Sequence, residues 1–366
     1  MTEPSPSPLD RPSAPRPGEE LPVHALEAYL HEHLPDYSGP LSVQQYPGGH
    51  SNLTYLLTIG DRQLVLRRPP FGPEIKSAHD MGREHTILSA IHPLYPRVPQ
   101  PLHYCQAPAV IGAPFYLMRP VPGIILRASP HTSLDLSPLV MQRLSTAFID
   151  NLAAIHNLDY QAAGLADLGK PEGYIQRQVS GWTKRYRAAQ TNTIKTIDET
   201  AVWLAAHMPP DSPPALIHND YKYDNLILNP DDLSDILAVL DWEMATIGDP
   251  YMDLGTALAY WVDPDDLPEL QALAFGPTAL PGGLTRRQLA DRYAEKSGRP
   301  LPDLLFYYVF AIFKLAVIIQ QIYARYKSGH SRDERFARMI EIVQVMGAAS
   351  QRAIQLGRIH QLGEAP

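Results

Sequence analysis

Cys105 is the only cysteine in 366 residues. That excludes an intrachain disulfide and fits a reducing, cytoplasmic setting. Lys and Arg total 31 against 39 Asp and Glu, so the net charge is −8 and no overall basic footprint for nucleic acid is present. No stretch of 18 residues is both apolar and free of charge. The nearest, Leu304 to Tyr323, contains Lys314 and two glutamines and reads as a buried helix, not a membrane span. No two of the 14 histidines are four residues apart, which argues against a helical zinc site. Residues 1–20 lack an apolar segment of the secretory kind, and their Pro/Ser content predicts a disordered tail.

What is present is enough for a large core: 45% of residues are apolar and 19% charged, over a length suited to two lobes. The most informative stretch is Leu216 to Asp253. His218-Asn219-Asp220 is followed five residues later by Asn225 and sixteen further on by Asp241, which closes the apolar run Ile236 to Leu240. An H-x-D-x-x-x-x-N loop, a strand and then an acid is the pattern of kinase-type phosphoryl transfer. One carboxylate must take or orient the proton of an acceptor hydroxyl, while an amide oxygen and a second carboxylate hold magnesium against ATP phosphates, since hard cations take oxygen ligands. Turn chemistry accounts for Asn229-Pro230 and Asp231-Asp232 but does not demand the rest of the pattern.

Along the chain, residues 22–34 have helical spacing. Three strand-like runs follow at 41–46, 52–59 and 63–67, joined by a Gly-rich turn and a tight Gly60-Asp61 turn. A helix is expected over 77–92 and two further strands at 102–105 and 114–118. This predicts a five-stranded antiparallel sheet with one helix inserted after the third strand. After Gly123 the pattern turns helical: 136–158 with an apolar stripe at Leu139, Leu144, Phe148, Leu152 and Ile155, a polar pair over 174–207, then helices near 285–296, 302–327 and 332–356. The fold class is α+β, divided into residues 21–118 and 119–366.

The segments VLRRPP (65–70), AHDMGRE (78–84), VIGAPFYLMRPVPG (110–123), HNDYKYDNL (218–226), LDWEMATIGDPYMDLG (240–255) and FAIFKLAVIIQQIYARY (310–326) resemble the aminoglycoside phosphotransferase family. Within it they are most similar to the branch related to the kinase-like domain of some acyl-CoA dehydrogenases. The resemblance covers about residues 22–357 and implies a bilobal protein-kinase-like fold, with a nucleotide-binding N-lobe and a C-lobe carrying the catalytic loop and the acceptor site. It implies ATP and Mg2+ as cofactors, Asp220 as catalytic base, and Asn225 and Asp241 as magnesium ligands. Lys222 stands where a cation can touch the transferred group; a solvated loop Lys is the alternative. Arg67 falls where the family's third-strand cation is expected, with Glu84 as its partner. Arg68 is a rival, but strand alternation puts it on the opposite face. Gly49, Ser51 and Asn52 stand at the phosphate loop, and Met118 to Val121, including Arg119 and Val121, at the hinge that reads adenine. His218 is expected to anchor the loop, Asn219 to tolerate a left-handed backbone, and Asp253 to brace the loop through backbone N–H groups.

The acceptor is less defined. Arg177, Trp182, Lys184 and Arg187 lie in a segment that the resembled fold places over the acceptor site. Cations beside an aromatic ring suit an anionic, partly apolar small molecule, a hydroxyacyl-CoA among them; a solvated basic helix face is the alternative. The reading is an ATP-dependent small-molecule kinase acting on a hydroxyl, with neither nucleic acid nor membrane as partner. An aminoglycoside or other metabolite kinase, and a nucleotide-binding pseudokinase, stay open beside it. A protein kinase fits poorly, because no A-P-E segment follows Asp241 and the 174–207 insertion crowds the peptide site.

Overall fold

The computed structural model of the chain describes residues 11–47, 52–71, 80–127, 134–330 and 333–363. Five antiparallel strands form the first lobe: β1 (Leu41–Gln45), β2 (Leu53–Ile59), β3 (Arg62–Arg68), β4 (Pro101–Cys105) and β5 (Phe115–Met118), in the order β1-β2-β3-β5-β4. The last strand therefore lies inside the sheet, beside β3, and β4 takes the edge. Two helices cover the sheet, α1 (Val23–His33) and α2 (Met81–Ile91). Strand alternation divides the side chains between two cores. Tyr55, Leu57, Leu64, Leu66, Phe115 and Leu117 pack with Leu26 and Leu30 of α1. Leu56, Val65, Tyr116 and Met118 face α2 and the main core.

Residues 11–20, assigned to a disordered tail by composition, are instead partly built onto the sheet. Ser13 pairs with Gln45, the Arg16 N–H donates to Gln45 Oε1 at 2.8 Å, and Tyr55 donates to the Glu19 carbonyl at 2.7 Å. The edge of β1 offered unpaired backbone groups, and this segment takes them.

The second lobe is mainly helical: α3 (Pro138–His156), α4 (Tyr174–Ala189), α5 (Lys195–Ala206), α6 (Pro250–Ala259), α7 (Pro268–Gln271), α8 (Arg286–Ser297), α9 (Leu305–Lys327) and α10 (Met339–Leu356). Between α5 and α6 stand two small antiparallel pairs, β6 (Ala215–Ile217) with β9 (Thr246–Gly248), and β7 (Leu226–Leu228) with β8 (Ile236–Val239). The stripe of α3 is Met141, Leu144, Phe148, Leu152 and Ile155, all buried, whereas Leu139 is 66% exposed. The residue periodicity could not find α6, because every position of it is buried and a helix buried all round has no amphipathic period. Its N-terminus is set by Asp249, which accepts from the Tyr251 N–H at 2.8 Å, followed by Pro250. By length and composition α9 could cross a membrane, but most of it is buried inside this lobe.

The lobes are joined at Gly123. A Cβ there would stand 2.4 Å from the Ile227 side chain and 2.6 Å from the Leu228 carbonyl, so only glycine lets the crossing segment lie this close to β7. Ile124 and Leu228 then exchange backbone hydrogen bonds of 2.9 and 2.8 Å.

Candidate active site

The loop after β6 carries the first acid. Asp253, fully buried in α6, accepts from the His218 N–H at 2.7 Å and the Asn219 N–H at 2.8 Å, and meets His156 Nε2 at 3.1 Å. Burial opposes its charge, but His156, His218 and these backbone donors hold its carboxyl below the usual range. His218 Nε2 lies 2.9 Å from the Leu240 carbonyl, and Asn219 adopts a left-handed backbone, φ 67°. The loop is thus tied down on both sides of Asp220.

Asp220 is surrounded by donors. The Tyr260 hydroxyl reaches Oδ1 at 2.6 Å, Asn225 Nδ2 reaches Oδ2 at 2.9 Å, and Lys222 Nζ lies 3.1–3.2 Å from the two oxygens. Asn225 also donates to the Asp220 carbonyl at 2.8 Å. Its nitrogen is therefore committed to Asp220, and its amide oxygen is the atom that can face a cation. The Leu240 N–H donates to the Asn225 carbonyl at 2.8 Å, so the β7–β8 pair sets Asn225 beside Asp241. An amide oxygen and a carboxylate carried on these adjoining segments are hard oxygen donors, the type that fits magnesium. Asp241 too is left-handed, φ 66°.

Arg67 joins the lobes. It donates to Glu84 Oε1 at 2.8 Å and to Asp241 Oδ1. Burial opposes its charge, yet the two carboxylates keep the guanidinium protonated well beyond its ordinary range. Burial pushes the Glu84 carboxyl up to about 7, with Arg67 pulling against it and Asp241 and Glu243 adding to it. The Trp242 N–H donates to Glu84 Oε1 at 3.2 Å and Arg83 to the Ala245 carbonyl at 2.7 Å, so α2 is docked on the segment after Asp241. The expected Arg67–Glu84 partnership is present, but Asp241 shares the same guanidinium. Arg68 points to the other face, with Nη1 3.1 Å from the Ile111 carbonyl.

Other expected site residues divide. Gly49 and Ser51 lie outside the described residues. Asn52 is buried, but its amide donates to Glu243 Oε2 at 2.6 Å, so the donor expected to meet phosphate is engaged by an acid the sequence reading did not single out. The Arg119 N–H is bonded to the Gln100 carbonyl at 2.9 Å and is not free to read a base; Val121 follows in the crossing segment.

The three expected cations of α4 do not gather around Trp182. Arg177 is bonded to the carbonyls of Lys170 and Glu172, Arg187 pairs with Asp198 of α5, and Lys184 is exposed. At about 100° per residue, Arg177, Lys184 and Arg187 fall within about 80° of one another, on the side of the helix away from the buried Ile175, Val179, Trp182 and Tyr186. Trp182 is buried, and the cation over its ring is Arg185, 4.6 Å from the ring centre. Lys314 Nζ of α9 lies 5.9 Å from the same ring. Lys222 lies 4.8 Å from the Tyr260 ring centre, and Phe275 packs against that ring at 5.1 Å. Sequence reading thus missed Glu243, Tyr260 and Lys314, and within the basic segment it favoured Arg177, Lys184 and Arg187 over Arg185. Only Lys314 left a visible signal, as a charge inside an otherwise apolar helix.

A five-stranded sheet clamped through Arg67 to a helical lobe, with a loop acid, an adjacent amide and a second acid at the cleft, defines the protein-kinase-like class of phosphotransferases. Residues 42–290 match the sequence profile of the phosphotransferase enzyme family, and this chain belongs to that family. Acyl-CoA dehydrogenase family member 10 of Mus musculus is 38% identical over 314 residues, covering 85% of this chain and 29% of the relative. The chain spans less than half the length of the curated relatives it matches. A solved structure from Ralstonia eutropha, named there a candidate aminoglycoside phosphotransferase, is 30% identical with a TM-score of 0.78, covering 95% of this chain and all of that one. The ternary complex of aminoglycoside phosphotransferase APH(4)-Ia with AMP-PNP and hygromycin B shares the fold at 18% identity, TM-score 0.56, over 90% of this chain and 98% of that one.

Proposed function

We propose that this chain is an ATP-dependent kinase that moves a γ-phosphoryl group to the hydroxyl of a small molecule, with hydroxyacyl-CoA as the acceptor class. The observation that carries the reading is the setting of Asp220, whose Oδ1 already accepts from a hydroxyl, that of Tyr260, at 2.6 Å. That is the reach required of a general base. In the reaction the acceptor oxygen bonds the γ-phosphorus, its proton passes to Asp220, the bond to the bridging oxygen breaks and ADP leaves. Lys222 is close enough to Asp220 to meet the transferred group. Asn225 and Asp241 would hold magnesium, which when bound offsets charge on the ATP phosphates. Arg67, with Glu84, grips phosphate oxygens; the Arg119 carbonyl and the Val121 backbone read the base.

The acceptor class is supported by Trp182 with Arg185 over its face and by the aromatic Tyr260–Phe275 wall beside Lys222. Such surfaces suit an anionic molecule with an apolar part. The names of the curated relatives point to acyl-CoA chemistry as well. A pseudokinase is the second reading, favoured by Arg67 in the place of the usual lysine and by its engagement with Asp241.

The test is a screen of hydroxyacyl-CoAs, aminoglycosides and choline with MgATP, reading ADP release and product mass. The expected result is acceptor-dependent ADP with a product heavier by one phosphoryl group, cut by about 10²–10⁴ in Asp220→Ala. Nucleotide binding without transfer to any acceptor would favour the pseudokinase.

A further inference from the structure

The middle of α9 is lined by Ala311, Ile312, Phe313, Leu315, Ala316 and Val317, all buried, and among them stands one cation. Lys314 is 4% exposed, and no carboxylate among the described residues pairs with it at ion-pair distance. Burying an ammonium without such a partner is costly, and an apolar side chain of similar size would stabilise this helix more. Burial indeed depresses its basicity, with Asp220 and Asp253 pulling the other way. The fold alone gives no reason for a lysine here.

The reason lies in what the ammonium holds. Lys314 Nζ donates to the carbonyl oxygen of Asn219 at 2.9 Å. Asn219 is the left-handed residue immediately before Asp220, and its other polar groups are all engaged. Its N–H donates to Asp253, Nδ2 to the Met244 carbonyl at 3.0 Å, and Oδ1 lies 3.4 Å from the Tyr174 hydroxyl. The carbonyl is the remaining group, and α9 supplies its partner. The peptide entering Asn219 is thus held from α6 and the peptide leaving it from α9.

We propose that Lys314 is a positioning residue for phosphoryl transfer: its ammonium fixes the Asn219–Asp220 peptide and thereby the direction in which the Asp220 carboxylate meets the acceptor hydroxyl. The catalytic half of this statement rests on the kinase reading above; the clamping of the loop does not.

Lys314→Met and Lys314→Gln separate the possibilities, because Met keeps the length without a donor and Gln keeps an N–H without the charge. In the Met variant kcat should fall about 10- to 100-fold with the ATP KM within about twofold, the pattern of a lost transition-state arrangement. Its melting temperature should hold within about 3 °C or rise, since a buried charge has been replaced by an apolar chain. Gln should recover at least about fivefold of the lost rate. Amide hydrogen exchange at residues 218–221 should quicken about tenfold or more in the Met variant, and less in Gln, with α9 still protected. Wild-type exchange in the loop of the Met variant, or a kcat within about twofold of wild type, overturns the proposal. So does a Met variant that melts far lower or fails to fold, since Lys314 is then a residue of the fold. If the wild type transfers to no acceptor, the kinase reading fails, while the exchange comparison still decides the clamp.

Discussion

The Tyr260 hydroxyl and Asp220 Oδ1 are 2.6 Å apart, so the residue that ends α6 donates a phenol to the acid that the proposed reaction needs as its base. Burial, followed by the Asp220 charge, pushes the phenol well above its ordinary range; it stays a donor at physiological pH. Tyr260→Phe should lower kcat about tenfold, the scale of one lost hydrogen bond to a charged group, with the ATP KM unchanged. Steady-state kinetics with both substrates varied would check it; an altered ATP KM with normal kcat counts against the assignment.

Arg67→Ala leaves Glu84 buried beside Asp241 and Glu243 without its cation, and should cost about 3–5 kcal/mol of stability as well as ATP affinity. Arg67→Lys should lie between, because one ammonium lacks the fork that reaches both acids. Denaturant unfolding alongside ATP titration measures both effects. An Ala variant as stable and as tight for ATP as wild type would remove Arg67 from the site.

Asp241→Asn removes one charged oxygen donor while keeping the shape of the strand end. The magnesium concentration for half-maximal rate should rise about tenfold or more at fixed ATP, because a hard cation loses a carboxylate ligand. An unchanged magnesium requirement would place the metal elsewhere.

Arg185→Gln should raise the KM of an anionic acceptor about 5- to 10-fold, in line with a lost charge-assisted contact, while ATP KM holds. Arg187→Gln should leave both constants within about twofold, since that guanidinium is engaged with Asp198 in an exposed pair of small worth. Equal effects at the two positions would mean the basic face acts as a whole.

Asp253→Ala strips three donors of their acceptor inside the protein. It should destabilise the chain by about 3 kcal/mol or more and loosen the loop, with kcat falling accordingly. Because the folded carboxyl is held below its unfolded value, this stability is complete above about pH 4 and is lost as pH falls through the depressed value. The gap between wild type and Ala variant should therefore narrow only in strong acid. A gap that narrows near neutral pH would contradict the assignment.

Much of this was legible in the chain. The order and type of the N-lobe strands, the long helices and the spacing of Asp220, Asn225 and Asp241 follow from local rules: alternation in strands, helical periodicity, and turn residues that act on their neighbours. Arg67 could be preferred to Arg68 because one residue of register changes the face. The braces at His218, Asn219 and Asp253 were also within reach, since an acid close to the motif among apolar neighbours needs nearby donors.

What only the tertiary structure decided was which distant side chains meet. Asn52 and Glu243 are 191 positions apart, Lys314 and Asn219 are 95 apart, and Arg67 and Asp241 are 174 apart; no local pattern encodes such pairs. The same holds for β5 lying beside β3 and for the segment at Ser13 closing the edge of β1. On α4 the sequence by itself determined that cations and a tryptophan share a helix, but not which of them face the cleft. That choice depends on how the helix is rotated against α9, and the rotation is set by the burial of Trp182 and Tyr186, which lays Arg185 over the Trp182 ring and leaves Arg177, Lys184 and Arg187 on the outer side.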